Sequence, residues 1–285
     1  MKISIITSAF NAEKYIEETI ESVLSQRGDF EIEYIVIEAK SKDATLEKIE
    51  KYKKIVEGGF YSERNKGISM KVISESDGGM YEGIAKGLKS ATGDIVAYIN
   101  SDDFYLPNAF SCVCEIFQKF PQVNWLTGRA NSFNAQGHNW ESVLPAHFYK
   151  EYIRKGFYGK YLPVIQQEST FWRRKLLENF NYEEFLNKKL AGDFYLWYSF
   201  SKENELYIVN SNLAGFRFSE GQKSENKTAY NKELMTIVNY YKPKLNEKFA
   251  IAFLKITSRV KDKKKLKGNP NIIRYDLKTS NWVLG

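Results

Sequence analysis

The sequence predicts an α/β fold built on a doubly wound, mostly parallel sheet. In the first part of the chain, short runs rich in β-branched residues alternate with segments whose apolar residues recur at helical spacing. The apolar run Ile95–Ile99 then ends abruptly in the polar cluster Asn100-Ser101-Asp102-Asp103. Such alternation is typical of a parallel sheet, in which ligands bind beyond the carboxyl ends of the strands. We therefore expect a binding site at the edge where Asp102 and Asp103 lie.

Each element of this first half is bounded by a turn or capping signal. The opening strand stops at the polar turn Ser8–Asn11, and the turn Asp77-Gly78-Gly79 introduces the last helix before the Asp102 strand. The predicted order is strand Lys2–Thr7, helix Ala12–Gln26, strand Glu31–Glu38, a helix introduced by Ser41–Thr45 and ending at Gly58-Gly59, strand Met70–Ser74, helix Met80–Ala91, and the strand that begins at Ile95.

Composition indicates a globular protein. Hydrophobic residues make up 43% and aromatic residues 15% of the 285 residues. No stretch approaches the ~20 apolar residues of a membrane span, and Thr7 and Ser8 interrupt the first apolar run, so we expect neither a membrane span nor a signal peptide. The only cysteines, Cys112 and Cys114, are too close in a helix to bridge each other, which favours a reducing cytoplasm.

The net charge of +7 is concentrated at the end of the chain. Residues 242–285 contain twelve Lys and Arg against three acids, a local charge of +9, whereas residues 1–241 are close to neutral. The apolar residues Phe249, Phe253, Ile256 and Val260 fall on one helical face of this basic segment. A basic amphipathic helix can bind an anionic membrane surface, and packing on the domain with a solvated basic face is the equal alternative. No nucleic-acid-binding motif is present, so we expect no nucleic-acid partner.

The two adjacent carboxylates at Asp102 and Asp103 suggest a divalent cation that carries an anionic substrate. A turn with a helix cap is the simpler interpretation of the same pair. Two other classes of phosphate-binding protein are excluded by spacing: there is no Gly-Lys-Ser/Thr loop, and Ser8–Asn11 stands where a dinucleotide-binding glycine motif would follow the first strand.

Several segments, in the same order, resemble family-2 nucleotide-sugar glycosyltransferases with the GT-A fold. The resemblance covers roughly residues 1–240, and an ordered set of motifs is more specific than any single one. The matching segments are Ser4–Asn11, Ser22–Gln26, Ser41–Thr45, Ser74–Gly87, Ala91–Asp94 and Asn100–Asp103.

The resemblance implies roles for individual residues at the nucleotide end of the site. Ser8, Phe10 and Glu38 would hold the base of a nucleoside diphosphate, and Asp77 would close that pocket. Asp102 would face the ribose, and Asp103 would ligate the Mg²⁺ or Mn²⁺ that bridges the diphosphate. The chain departs from the family pattern at four places, which leaves the donor's identity open: Glu38, Ala39-Lys40, Glu82 and Ala85.

The second half of the resemblance implies a catalytic base. We predict a helix from Pro107 to Phe120 and one strand from Trp125 to Phe133, and Pro163–Arg174 resembles the strand that leads to the base. That base would be Asp193, which would take the proton of the acceptor hydroxyl in an inverting transfer. Asp193 also fits the N-cap of the following helix, and the two roles can coexist.

Three further features of this half concern the acceptor and the diphosphate. Tyr195 stands where many relatives have a second acid, so only one carboxylate is offered there. Arg217 and Lys223 lie in a segment that resembles one folding over the donor diphosphate, which makes them possible diphosphate contacts, although basic loop residues are usually just solvated. The aromatic residues between 146 and 200 provide either a core or a platform for an acceptor sugar.

Together these features predict a metal-dependent, inverting glycosyltransferase of surface-polysaccharide synthesis, cytoplasmic or peripheral on the inner membrane face. Its donor would be a UDP- or GDP-sugar and its acceptor a glycan or lipid-linked saccharide. Residues 1–106 would form the nucleotide-sugar half, 107–241 the acceptor and base half, and 242–285 a basic helical tail. The alternatives are a catalytically degenerate nucleotide-sugar-binding protein and a sugar nucleotidyltransferase, although the glycine-rich basic loop of the latter is absent after the first strand.

Overall fold

The structure is a computed structural model that describes residues 1–219, 221–222, 225–258, 262 and 269–285. The strands are β1 (Lys2–Ala9), β2 (Glu31–Glu38), β3 (Gly67–Ser74), β4 (Ile95–Tyr98), β5 (Phe104–Tyr105), β6 (Trp125–Thr127), β7 (Ala130–Phe133), β8 (Asn139–Val143), β9 (Thr170–Arg173), β10 (Tyr207–Val209), β11 (Ala214–Arg217), β12 (Ile272–Asp276) and β13 (Asn281–Leu284). The helices are α1 (Ile16–Leu24), α2 (Thr45–Glu57), α3 (Met80–Ser90), α4 (Ala109–Lys119), α5 (Lys150–Arg154), the irregular single turn α6 (Phe157–Lys160), α7 (Tyr182–Leu186), α8 (Gly192–Phe200), α9 (Lys227–Ile237) and α10 (Leu245–Ser258), with a short 3₁₀ turn at Arg174–Leu177.

The predicted α/β fold with a mostly parallel sheet is confirmed. Nine strands form the central sheet in the order β13-β12-β10-β6-β9-β4-β1-β2-β3. The four strands β1 to β4 are parallel, so their carboxyl ends meet at one edge. Strand β9 runs antiparallel between β4 and β6, and therefore its first residues return to that same edge.

Helix α1 begins at Ile16, later than the predicted Ala12, because hydrogen bonds hold the preceding residues in a loop. Asn11 has a positive φ of 49°, a conformation that a helix does not contain. The Ala12 N–H donates to Thr45 Oγ1 over 2.7 Å, and the Lys42 N–H donates to Asn11 Oδ1 over 3.0 Å. These bonds tie the loop after β1 to the loop after β2.

The prediction of one strand from Trp125 to Phe133 is wrong. The chain breaks at Gly128-Arg129, so that β6 joins the central sheet and β7 joins a second sheet of order β5-β11-β7-β8. A Cβ atom on Gly128 would lie 2.8 Å from Leu213 Cγ, so this crossing requires glycine. The short strand β5 directly follows Asp103 and pairs with β11, which fixes the segment carrying the two carboxylates.

The core lies on both faces of the central sheet, one face covered mainly by α1, α2 and α4 and the other by α3 and α8. Cys112 and Cys114 are buried free thiols of α4. Most of the aromatic residues singled out between 146 and 200 are core residues as well: Phe148, Phe157, Tyr158, Phe171 and Trp172 are buried, whereas Tyr149 is exposed.

The last part of the chain is only partly the helical tail that the sequence predicted. Helix α10 lies within it, but residues 272–284 form β12 and β13, which extend the central sheet at its β10 edge. Arg259, Val260 and Lys263–Lys265, which contributed to the predicted amphipathic helix, lie outside the described residues. In the part of the chain that the structure describes, no helix is long and apolar enough to cross a membrane.

Candidate active site

Most of the predicted nucleotide-binding residues lie around the carboxyl edge of β1 to β4. Ser8 lies near the end of β1, Glu38 ends β2, and Asp77 follows β3. A Cβ atom built on Gly83 of α3 would lie 2.5 Å from Ser8 Oγ and 3.1 Å from Asp77 Oδ2. Ser8 and Asp77 therefore both contact the bare backbone of Gly83. Phe10 directly follows β1 and has 57% of its surface exposed, so its ring is available for stacking.

Glu38 is buried inside the turn that joins the sheet edge to the following loop. Its Oε1 accepts a hydrogen bond from the Ser41 N–H, and its Oε2 accepts one from Ser74 Oγ over 2.5 Å. Burial alone would raise the pKa of Glu38, but these hydrogen bonds outweigh it and lower the pKa. Both carboxylate oxygens thus have partners within the protein, and Glu38 links the ends of β2 and β3.

Asp103 is held on both of its carboxylate oxygens. The Arg217 N–H donates to Oδ1 over 2.9 Å, and Asn100 Nδ2 donates to Oδ2 over 3.1 Å. The side chain is buried, and burial, with Asp102 and Glu168 nearby, raises its pKa well above the ordinary value. These contacts place Asp103 in the joint between β4 and β11.

Asp102 is the carboxylate that stays partly exposed at this edge. Its Oδ2 accepts a hydrogen bond from Gln222 Nε2 over 2.8 Å, and its backbone carbonyl accepts one from Arg217 Nε over 2.9 Å. The segment after β11 therefore folds back over Asp102.

Arg217 was predicted as a possible contact of the donor diphosphate, with a solvated loop residue as the alternative, and the structure places it in β11 with its side chain buried. Its guanidinium pairs with Glu18 Oε2 at 2.5 Å and stacks over the Tyr15 ring at 4.5 Å. The guanidinium thus joins β11 to α1 beneath the carboxylate edge. Lys223, the other basic residue of this expectation, lies outside the described residues.

Asp193 is in the first turn of α8, where it is the second helical residue, and Ala191 is at the N-cap position. Its Oδ1 accepts a hydrogen bond from the Phe194 N–H over 2.7 Å, and Tyr230 Oη lies 3.2 Å from each carboxylate oxygen and donates to them. Burial raises the pKa of Asp193 to about 7, and the hydrogen bonds from Phe194 and Tyr230 oppose part of that shift. A carboxylate with this pKa is suited to general base catalysis near neutral pH.

The start of α8 is positioned by two residues that the sequence analysis did not single out. Glu233 of α9 accepts hydrogen bonds from the backbone N–H groups of Lys189, Leu190 and Ala191 over 2.6 to 3.0 Å. The Tyr81 hydroxyl donates to the Leu190 carbonyl over 2.8 Å. No sequence signal identifies Glu233, because its partners are backbone groups more than forty residues earlier in the chain.

Glu168 is a third residue that sequence reasoning missed. It is buried immediately before β9, and burial, with Asp193 nearby, raises its pKa to about 8. The signal that was available is the polar run Gln166-Gln167-Glu168, which directly precedes a strand with buried aromatic residues.

The residues present fit a substrate-bridged metal better than a metal held by protein alone. Within the described ranges, no three His, Cys, Asp or Glu side chains are grouped so as to hold a metal ion. Mg²⁺ bound to nucleotides commonly takes only one or two carboxylates, with substrate phosphates and water completing its shell. Asp102 is the partly exposed carboxylate that fits this role, since both oxygens of Asp103 have protein partners.

The chain is similar in sequence to known glycosyltransferases. Residues 4–180 match the family described as Glycosyl transferase family 2. The poly(ribitol-phosphate) beta-N-acetylglucosaminyltransferase TarS of Staphylococcus aureus is 36% identical over 109 residues, covering 36% of this chain and 17% of TarS. The UDP-Glc:alpha-D-GlcNAc-diphosphoundecaprenol beta-1,3-glucosyltransferase WfgD of Escherichia coli is 25% identical over 229 residues, covering 79% of this chain and 80% of WfgD.

Two solved structures share the fold. The crystal structure of S. aureus TarS 1–349 in complex with UDP-GlcNAc has a TM-score of 0.58 at 19% identity, covering 93% of this chain and 69% of that chain. The mannosyltransferase PcManGT from Pyrobaculum calidifontis, in complex with GDP-Man and Mn²⁺, has a TM-score of 0.56 at 12% identity, covering 93% of this chain and 72% of that chain. At these identities the similarity establishes the fold, which is GT-A.

Proposed function

Because the chain belongs to glycosyl transferase family 2, we propose that it transfers a sugar, with inversion, from a nucleoside-diphosphate sugar to a saccharide hydroxyl. The acceptor would be a glycan or a lipid-linked saccharide of a surface polysaccharide. The observation that carries this proposal is Asp193, a carboxylate with a pKa of about 7 that Tyr230 orients at the start of α8.

The donor would lie along the carboxyl edge of β1 to β4. The base would stack on exposed Phe10 and contact Ser8 and Asp77, whose side chains approach Gly83 closely. TarS was crystallised with UDP-GlcNAc and PcManGT with GDP-Man, so a nucleotide sugar is the donor class to test. Glu38 would act by holding together the ends of β2 and β3 beside the base, because both of its carboxylate oxygens already accept hydrogen bonds from Ser41 and Ser74.

The divalent ion, Mg²⁺ or Mn²⁺, would be held by Asp102 together with the donor diphosphate. When bound, it supplies charge neutralisation for the leaving nucleoside diphosphate. This revises the division of roles expected from the sequence, in which Asp103 was the metal ligand. Asp103 instead positions Asp102 by holding the Arg217 backbone N–H at the start of the following loop.

In the proposed reaction, the acceptor oxygen forms a bond to the anomeric carbon as the bond from that carbon to the diphosphate oxygen breaks. The electron pair leaves with the nucleoside diphosphate, and Asp193 takes the proton of the acceptor hydroxyl. Attack on the face opposite the leaving group inverts the anomeric configuration. Tyr230 keeps the Asp193 carboxylate oriented for this transfer.

The test is a screen of UDP- and GDP-sugars for thermal stabilisation with Mn²⁺, followed by measurement of nucleoside diphosphate release with saccharide acceptors. For Asp193→Asn we expect donor binding within about twofold of wild type and transfer reduced by about 10²-fold or more, the usual size of a general-base contribution. Glu203→Gln, an exposed carboxylate after α8, serves as the matched control with unchanged transfer.

Two outcomes would contradict the proposal. Near-normal transfer by Asp193→Asn would mean that another group is the base. Wild-type protein that binds a nucleotide sugar with Mn²⁺ yet never transfers it would favour the catalytically degenerate binding protein, and release of pyrophosphate would favour a nucleotidyltransferase.

We also propose that α10 binds an anionic membrane surface and so brings the site to a lipid-linked acceptor. Four large apolar side chains, Leu245, Phe249, Phe253 and Ile256, form one stripe of this helix and are 65% to 70% exposed. The opposite side is docked on the domain, since Ile251 and Leu254 are buried there. The apolar stripe is therefore free of the domain core while the helix is held in place.

Charge supports a lipid surface as the partner of this stripe. Lys244, Lys248 and Lys255 are exposed and spaced four and seven residues apart, so they line one side of the stripe. Residues 242–285 carry a net charge of +9. Apolar insertion combined with attraction of basic side chains to anionic lipid is how peripheral helices bind membranes.

For this surface, we expect the double variant Phe249→Ser, Phe253→Ser to bind phosphatidylglycerol-containing vesicles at least about tenfold more weakly than wild type, because both inserting rings are lost. Cosedimentation with vesicles measures the binding. Leu277→Ser, which replaces an 85% exposed apolar residue outside α10, is the control and should leave binding unchanged.

Equal binding by the double variant would exclude the stripe as the membrane contact. A different outcome would identify the stripe as an interface between copies of the chain. In that case the wild-type protein would not bind vesicles, and light scattering would show a dimer that the double variant does not form.

A further inference from the structure

The run Gln166-Gln167-Glu168 lies at the same edge as the two carboxylates. Strand β9 pairs antiparallel with β4, Val96 opposite Trp172, so the residues just before β9 lie beside the end of β4. Gln167 Nε2 donates a hydrogen bond to the Tyr98 carbonyl, which confirms this placement. The run therefore borders the space between the strand end that carries Asp102 and the residues around Asp193.

All three side chains present a buried oxygen that accepts no hydrogen bond. Among the described residues, Gln166 Oε1, Gln167 Oε1 and Glu168 Oε1 have no partner. The bond from Gln167 Nε2 to the Tyr98 carbonyl fixes the orientation of that amide, so its oxygen points away from β4. Buried acceptors without partners are rare in native proteins because each costs free energy, and a cluster of them calls for a ligand that donates hydrogen bonds.

Charge restricts the kind of ligand. Glu168 lies near Asp193, and an anion placed between these two carboxyl groups would oppose the ionised form of both. A protein-held metal is not indicated, since the described residues contain no suitable group of ligands. A neutral group with several hydroxyl donors, such as a sugar ring, satisfies adjacent acceptors without adding charge.

We propose that Gln166, Gln167 and Glu168 form the subsite that binds the hydroxyl groups of the transferred sugar. This inference rests on the proposed function, in which the sugar lies between the diphosphate at Asp102 and the base Asp193. The three side chains would contribute to the choice of donor sugar, whereas Ser8, Phe10 and Asp77 contact the nucleotide.

The experiment compares a nucleoside diphosphate with its sugar conjugate on matched variants. The probes are UDP, GDP, UDP-Glc, UDP-GlcNAc and GDP-Man, each titrated calorimetrically with Mn²⁺ into full-length protein. For Glu168→Leu we expect the affinity for the bare nucleoside diphosphate to stay within about twofold and that for the sugar conjugate to fall about tenfold, the effect of losing one buried hydrogen bond. Glu168→Gln, which keeps an acceptor oxygen, should restore most of the affinity for the conjugate.

Glu178→Leu, at an exposed carboxylate after β9, is the matched control and should change neither affinity. If Glu168→Leu does not fold, Gln166→Leu replaces it, because Gln166 is partly exposed. We expect Gln166→Leu to lose affinity for the sugar conjugate but not for the bare nucleoside diphosphate. Unchanged affinity for the conjugate in Glu168→Leu, or equal loss for both probes with a lowered melting temperature, would overturn this inference alone. Wild-type protein that binds nucleoside diphosphates but no sugar conjugate would overturn the proposed function with it.

Discussion

Asp102 and Asp103 are adjacent in sequence but lie in opposite environments. Asp103 points into the joint between β4 and β11, where the Arg217 N–H and Asn100 Nδ2 occupy its oxygens. Asp102 lies at the partly exposed edge, and among the described residues its side chain accepts a hydrogen bond from Gln222. One carboxylate is therefore available to a substrate-bound cation, and its neighbour stabilises the loop that presents it.

This difference predicts opposite effects of two alanine substitutions. Asp103→Ala should lower the free energy of unfolding by about 2–3 kcal/mol, because it leaves a buried backbone N–H and an amide without acceptors. Asp102→Ala should lower it by less than about 1 kcal/mol, since the side chain is partly exposed, but should abolish Mn²⁺-dependent binding of the nucleoside diphosphate. Urea denaturation and calorimetric titration measure the two effects, and a stable Asp103→Ala protein that fails only to bind Mn²⁺ would reverse the assignment.

The sequence identified both aspartates but could not separate their roles. Their spacing places successive side chains on different sides of the chain, and which side is open depends on β11, more than a hundred residues later. Arg217 shows the same limit: it is basic and follows a strand pattern, yet only the packing of Glu18 and Tyr15 reveals that its charge is neutralised internally.

At the scale of elements, the candidate base depends on contacts between helices that are distant in sequence. Helix α8 carries Asp193, α9 supplies Tyr230 and Glu233, and α3 supplies Tyr81. A Cβ atom on Gly192 would lie 2.5 Å from the Tyr81 ring, so the start of α8 packs directly on that ring. The position of the base is thus set by three helices together.

We expect Glu233→Gln to reduce kcat about tenfold while the KM for the donor stays within about twofold, since the amide offers one acceptor oxygen to three N–H donors and loosens the segment before Asp193. Stability should fall by about 1–2 kcal/mol. Steady-state kinetics with varied donor measure the split. Glu203→Gln is again the control, and a parallel change in KM would indicate general loosening of the fold instead.

Element types in the nucleotide half were predictable, whereas some boundaries were not. The β-branched runs of β1 to β4 and the apolar faces of α1 and α3 follow strand and helix periodicity, and all of these elements are present. The late start of α1 and the break at Gly128 depend on contacts with Thr45 and Leu213, which lie far away in sequence. Tertiary contacts therefore overrode the local pattern at both places.

At the scale of the whole molecule, the central sheet is completed by the end of the chain. Strand β12 pairs with β10, and Ile272 and Ile273 are fully buried against the two faces of the sheet. The sequence did not predict that β12 and β13 join the central sheet, because the hairpin is short and follows a strongly basic segment. The region that looked like an appendage thus contains both an outward-facing apolar helix and an integral part of the core.

Deleting residues 269–285 should therefore destabilise the folded protein. Loss of the buried side chains of Ile272 and Ile273 alone removes about 3–6 kcal/mol of apolar burial, and the edge of β10 would lose its partner. We expect a clearly lower urea midpoint, with loss of nucleotide-sugar binding as a consequence. Leu277→Ser, at the exposed turn of the same hairpin, should shift stability by less than about 0.5 kcal/mol. A truncated protein with an unchanged urea midpoint would mean that β12 and β13 do not contribute to the stability of the central sheet.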